Sequence, residues 1–349
     1  MGAGLAIKSL VNPAMNANTF KLYCISAMMP ALATLKLNEQ ELQALDTEFK
    51  RIVRNIAKLT CKNTPHCVST FLTGIGSAEM FLDKARLVLF GQICSLDNSN
   101  PIVSVARRQL ALKDSSSNSW FIQLRKVTNK YDMEDPAVLL QYPPSKYEWK
   151  QYCKSRVNTY WTRYFQTECK RRKSLEFFNP DGMSIFDTHP IYSSCMGDPY
   201  QTSKAIVQAK MVSGRYPVEK LAAKFKKTNP SDSDYICKLC DTGQAETICH
   251  SLLHCPGLQV ARSNVVKATK EKLKHSIYLS AKWEKVFAST DHTTTQFLLD
   301  PTSYNLVPEI RVCVKDKSDV NLMFHVTRLW CYSIDRSRRT ILRRKGVLL

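Results

Sequence analysis

Acid is scarce in this chain. Thirty Asp and Glu stand against fifty Lys and Arg in 349 residues, giving a net charge of +20. An excess of that size points to polyanionic partners, nucleic acid or an anionic membrane face; solvation alone is the bland alternative. Long apolar runs are missing too. Stretches such as 27–35 and 87–94 fall short of the ~18 residues a spanning helix needs, which removes the membrane option. The first six residues lack a charged segment leading into an apolar core, and Ala6 stands where a myristoylation signal wants Ser or Thr. No usable Asn-x-Ser/Thr acceptor occurs. The expectation is an intracellular protein, in nucleus or cytoplasm.

Glycine is sparse, at 11 residues, and none of it forms a phosphate-binding loop or a Gly-x-Ser-x-Gly nucleophile elbow. His66, His189 and His325 stand alone in sequence and read as core or surface residues. The acid pairs Asp132/Asp135, Asp232/Asp234 and Asp316/Asp319 lie in polar, turn-like settings and read as surface.

What is present is mainly α-helical in pattern. Leu42, Leu45, Phe49, Ile52, Ile56 and Leu59 recur at helical steps over 39–60, with Lys50, Arg51, Arg54 and Lys58 mostly off that stripe. Further helices are expected over 18–29, stopped by Pro30, and over 78–96, 120–131, 146–178, 203–213, 258–275 and 319–344. In the long one, Trp149, Cys153, Val157, Tyr160 and Tyr164 share one side, and Lys170-Arg171-Arg172-Lys173 closes it, where the helix dipole favours cations. Gly214 fits the position just past a helix end. Residues 61–76 and 179–200 read as turn-rich, 98–119 as a loop or domain joint, and 276–317 carries only weak signals.

The basic excess is concentrated late: residues 201–349 hold 25 Lys and Arg against 13 Asp and Glu. Thirteen cysteines in a reducing compartment call for something other than disulfides, and most, Cys24, Cys94 and Cys331 among them, suit buried apolar positions. One cluster differs. In Cys237-x2-Cys240-x9-His250-x4-Cys255, two thiolates on a tight turn and a His/Cys pair from a second short element supply four ligands, the set of a closed structural zinc site. Asp241 and Gly243 supply the turn. Chance gives about half a Cys-x2-Cys pair in such a chain, but only about one in a hundred once His-x4-Cys must follow closely. His254 competes with His250 as third ligand, and Cys249 lies beside it. No βαβ pattern surrounds the pair, which sets aside a thioredoxin-like role.

The ligand segment, with Glu246-Thr247-x2-His250-x4-Cys255-Pro256, resembles the zinc-binding segment that follows the reverse transcriptase domain in LINE-type non-LTR retrotransposon proteins. Lys210-x3-Gly214-Arg215-Tyr216-Pro217 and Ala223-Lys224-Phe225 look like the family's approach to it. Ser119-Trp120-Phe121, Leu124-Arg125-Lys126, Lys130-Tyr131 and Asp135-Pro136 look like its connector. The helix from Glu39, preceded by Lys21-Leu22-Tyr23 and Pro30, resembles the thumb side after the polymerase palm. The resemblance covers roughly residues 1–265.

It implies a thumb-like helical region (1–97), a helical connector (98–200), a zinc-binding basic module (201–275) and a C-terminal region with a basic tail (276–349). Family polymerases hold two metals on an aromatic-x-Asp-Asp motif, and this chain has no Asp-Asp dipeptide. The expectation is therefore a non-polymerising portion that binds RNA or single-stranded DNA through Zn2+-ordered structure. Lys170, Arg171, Arg172, Lys173, Lys224, Lys226, Lys227, Lys267, Lys270, Lys272 and Lys274 are the candidate phosphate contacts, and Tyr216 and Phe225 are candidates for stacking or core packing. The alternatives are a fragment that completes a polymerase with a separate palm polypeptide, or a zinc-organised protein-interaction module, with other retroelement proteins as partners. In the latter, Arg336, Arg338, Arg339, Arg343, Arg344 and Lys345 would be a nuclear-localisation signal or a solvated tail.

Overall fold

The chain is mainly α. A computed structural model describes residues 11–61, 63–219, 231–302 and 317–347, the side chains of Asp232 and Lys317 excepted. Among the described residues fifteen α-helices follow in order: α1 Pro13–Thr19, α2 Ser26–Ala33, α3 Glu39–Ile56, α4 His66–Thr73, α5 Ala78–Cys94, α6 Pro101–Leu112, α7 Trp120–Lys130, α8 Pro136–Gln141, α9 Lys146–Lys170, α10 Pro190–Ser193, α11 Pro199–Val212, α12 Gln259–Leu273, α13 Ile277–Phe287, α14 Asp291–Leu299 and α15 Lys317–Arg344. Among the described residues there is no strand, only an isolated bridge between Ile236 and Ala245. No described helix is long and apolar enough to cross a membrane.

Local signals explain most boundaries. Asn38 and Glu41 form a reciprocal capping box at the start of α3, whose Phe49, Val53 and Ile56 enter a small core with Phe20, Ile25, Met29 and Leu82. A larger core runs from Ala14 to Leu342. Within it α5 packs on α9, and α15 packs on α11, α12 and α14. That last arrangement positions the Cys/His segment, because α15 is the floor on which it rests.

Several expectations need correcting. Residues 98–119 are not simply a joint. Asn100 caps α6 by accepting from the Ile102 amide at 3.0 Å, and Val103, Ala106 and Leu110 are buried at helical spacing. Pro101 sits in the first turn, where its missing N–H loses nothing, so it starts a helix rather than breaking one. Pro30 likewise does not stop its helix. Met29 and Ala33 are buried on either side of it, and packing against α5 outweighs the one lost backbone bond. The interval 61–76 contains α4, buried from Cys67 to Thr73.

The long helix ends at Lys170, and its buried side is Trp149, Cys153, Val157, Trp161, Phe165 and Cys169. Tyr160 and Tyr164 face outward instead, 38% and 47% exposed. Two helices, α13 and α14, occupy the segment with weak signals, capped by Ser276 and Thr290.

Gly214 does lie just past a helix, α11, at φ +65°. A Cβ there would stand 1.9 Å from the Ser174 carbonyl oxygen, so strain and overlap coincide. Gly214→Ala is expected to destabilise the chain by about 2 kcal/mol or more. Urea unfolding should give a lower midpoint at unchanged slope.

Candidate metal centre

The cluster is built from two short elements. In the first, the Cys237 amide donates to the Gln244 carbonyl at 2.8 Å and the Glu246 amide to the Tyr235 carbonyl at 2.7 Å, closing a loop around Cys237 and Cys240. Gly243, at φ +70°, makes the reversal. The second is a wide turn over His250–His254, closed by the Cys255 amide on the His250 carbonyl at 2.7 Å. Such a five-residue closure stacks residues i and i+5, here His250 and Cys255, on one side. The two elements meet at Gly257. A Cβ there would lie 2.2 Å from the carbonyl oxygen of Leu239, between the first two cysteines.

The donor atoms of Cys237, Cys240, His250 and Cys255 all lie within 4.8 Å of one another, and all four residues are buried. Cys237 Sγ is 3.8 Å from Cys255 Sγ, and Cys240 Sγ is 3.5 Å from His250 Nε2. The expected His-versus-His ambiguity is resolved in favour of His250. His254 points outward, with Nε2 2.7 Å from Asp291 Oδ2. Four convergent S and N donors make a Cys3His cluster that could hold a metal ion.

Electrostatics suits that chemistry. The hydrogen bond that Cys255 shares with Cys237 favours its thiolate and lowers the Cys255 thiol from its ordinary range. Burial lowers His250, which favours the neutral imidazole a metal requires.

The supporting residues were not found from sequence. Glu246 receives a fork from Arg338, Nε at 2.6 Å and a terminal nitrogen at 2.9 Å, with both side chains 1% exposed. Burial opposes the Arg338 charge, and the Glu246 carboxylate more than restores it, raising the guanidinium above its usual range. The Glu219 amide also donates to Glu246 at 2.7 Å. Arg262 donates to the Cys255 carbonyl at 2.6 Å, and Trp330 Nε1 to the Leu252 carbonyl at 3.4 Å. Tyr216 is buried, its hydroxyl on Asp335 at 2.8 Å, so it serves packing, not stacking. Arg338 must therefore leave the set read as a localisation signal or tail. Arg336, Arg339, Arg343, Arg344 and Lys345 are exposed, with Arg339 paired to Asp335.

The candidate phosphate contacts divide. Lys267, Lys270, Lys272 and Lys274 are exposed on α12 and the residue after it, Lys274 beside Glu271. Lys170 pairs with Asp181 at 2.7 Å, and Arg171 and Arg172 both reach Glu168; Lys173 is exposed. Lys224, Phe225, Lys226 and Lys227 lie outside the described residues. Asp132 is exposed in a turn at φ +55°, and Asp135 caps α8 while pairing with Arg125.

No family model, curated protein or solved structure matches the chain.

Removing one partner of the Arg338–Glu246 pair strands a buried charge. Arg338→Ala is expected to destabilise by about 3–5 kcal/mol. Arg338→Lys should recover only part of this, because an ammonium cannot present the two-pronged fork. Chemical denaturation of the three proteins checks both.

Proposed function

We propose that this chain binds RNA or single-stranded DNA through a basic helical module ordered by one structural zinc ion. The observation that carries the reading is the course of the chain itself. Four residues after Cys255, α12 begins; it bears Lys267, Lys270 and Lys272 outward, with Lys274 just past its end, against a single acid, Glu271. Lys267, Lys270 and Lys274 recur at three- and four-residue steps and so share one stripe. Across a groove of about 550 Å³ from α12, α15 contributes Arg336 and Arg344.

Zinc is the metal that the donors suit. Zinc–sulfur bonds of about 2.3 Å and zinc–nitrogen bonds of about 2.0 Å in a tetrahedron imply S···S edges near 3.8 Å and S···N edges near 3.5 Å. The Cys237–Cys255 sulfur pair at 3.8 Å and the Cys240–His250 pair at 3.5 Å match these edges, and all four donors lie within 4.8 Å of one another. Four protein ligands leave no open position, as in structural sites. When bound, the ion supplies folding free energy to a segment with little core of its own.

The resemblance to the end of a LINE-type reverse transcriptase protein supports this reading, in which the chain would be a non-polymerising part of such a protein. Primer extension on an RNA template with added divalent metal is expected to give no product.

Metal analysis of dialysed protein is expected to find one zinc per chain, lost in Cys237→Ser and His250→Ala and kept in His254→Ala. Zinc well below one per chain, unaffected by these changes, sinks the metal reading. For nucleic acid, the combined Lys267→Ala, Lys270→Ala and Lys274→Ala variant should flatten the salt dependence of single-strand binding. Each phosphate contact contributes about 0.7 to the log–log slope, so the loss is about 2. An unchanged slope rejects α12 as the interface.

A further inference from the structure

The wide turn that stacks His250 over Cys255 applies equally one residue earlier. Cys249 and His254 are also five apart, and they stand together on the other side of the same turn. Asp291, the first residue of α14, joins them there: the donor atoms of Cys249, His254 and Asp291 lie within 4.8 Å of one another. His254 Nε2 already sits 2.7 Å from Asp291 Oδ2. Cys249 is half-buried and the other two are exposed, so this side opens to solvent while the Cys3His cluster does not.

We infer that Cys249, His254 and Asp291 form a second metal site, for an exchangeable divalent ion of the zinc type, back to back with the first. One sulfur, one imidazole nitrogen and one carboxylate oxygen suit a borderline ion better than a hard one such as Mg2+. Three protein ligands leave a fourth position for water, and the exposure of His254 and Asp291 opens the site to exchange with solvent. Binding releases the Cys249 thiol proton to solvent and leaves the imidazole with its remaining proton on Nδ1. The ion would tie the start of α14 to the turn that carries two ligands of the inner cluster.

The site shares no residue with the inner cluster, and the test keeps the two distinct. Full-length protein is equilibrated with excess Zn2+, freed of loose metal by rapid gel filtration, and its zinc counted. Two ions per chain are expected for the parent, and one for both Cys249→Ser and Asp291→Asn. Circular dichroism identifies which variants remain folded, and either one suffices. Replacement by Co2+ adds a second readout: Cys249→Ser should remove about a quarter of the thiolate-to-cobalt charge-transfer intensity, one sulfur in four. A parent that saturates at one ion, with both variants also at one, overturns the proposal. So does a count of two that neither substitution lowers. A parent at one ion that falls to none in both variants upholds the outer site and rejects the inner one.

Discussion

Setting Arg338 against Glu246 removes two full charges from water, and such a pair persists only when geometry and further hydrogen bonds compensate both groups. Here the fork is complete, and the Glu219 amide occupies the carboxylate as well. The consequence is positional. Glu246 follows directly on the loop that presents Cys237 and Cys240 and precedes the turn that presents His250 and Cys255. Fixing it to α15 fixes both halves of the cluster against one long helix. Trp330, Arg338 and Asp335 on that helix hold, in turn, the Leu252 carbonyl, Glu246 and Tyr216. The segment over 231–258 has no strand and little apolar mass, so its shape depends on α15 and on the ligand set.

Sequence spacing disclosed the Cys3His cluster because the geometry a metal would require is a local constraint. Two cysteines three apart and a His/Cys pair five apart each imply a particular turn, and both turns are present. The choice between His250 and His254 was not legible, since either satisfies a four-ligand count. It is decided by the phase of the wide turn, which no periodicity encodes. Arg338 and Glu246 were invisible for a related reason. They lie 92 positions apart, and each alone reads as an ordinary solvated charge. Tyr160 and Tyr164 were misplaced because an aromatic at helical spacing suggests a core position, yet Trp161 and Phe165, one residue on, take the buried side. Pro101 and Pro30 show the limit of treating proline as a breaker: position in the first turn, or burial on both sides, reverses its meaning.

The charge excess also looks different once partners are counted. In the run from Lys170 to Lys173, Lys170, Arg171 and Arg172 all meet Asp181 or Glu168, which lowers the field that run offers to a polyanion. Arg338 is internal and Arg262 is buried under a ligand carbonyl. On α12 and the residue after it, Lys267, Lys270, Lys272 and Lys274 stand against one glutamate, Glu271, all at the surface. Net charge sets long-range attraction, but the face that can neutralise phosphates is the one whose cations are not already neutralised.

The lysine helix and the cluster are mechanically one object. Cys255, Pro256 and Gly257 join them with no slack, Gly257 lies beneath the Leu239 carbonyl, and Arg262 reaches back from the first turns of α12 to the Cys255 carbonyl. The rotational phase of α12, and so the direction in which Lys267, Lys270 and Lys274 point, is inherited from the ligand turn. An ion held by Cys237, Cys240, His250 and Cys255 would therefore act on a polyanion without touching it. Its binding free energy goes into ordering the turn. A pre-oriented row of cations binds more tightly than the same cations on a frayed segment, because the ordering cost has already been met. On the proposed function, the metal and the nucleic acid would be linked ligands of a single folding equilibrium, each favouring the state that the other requires.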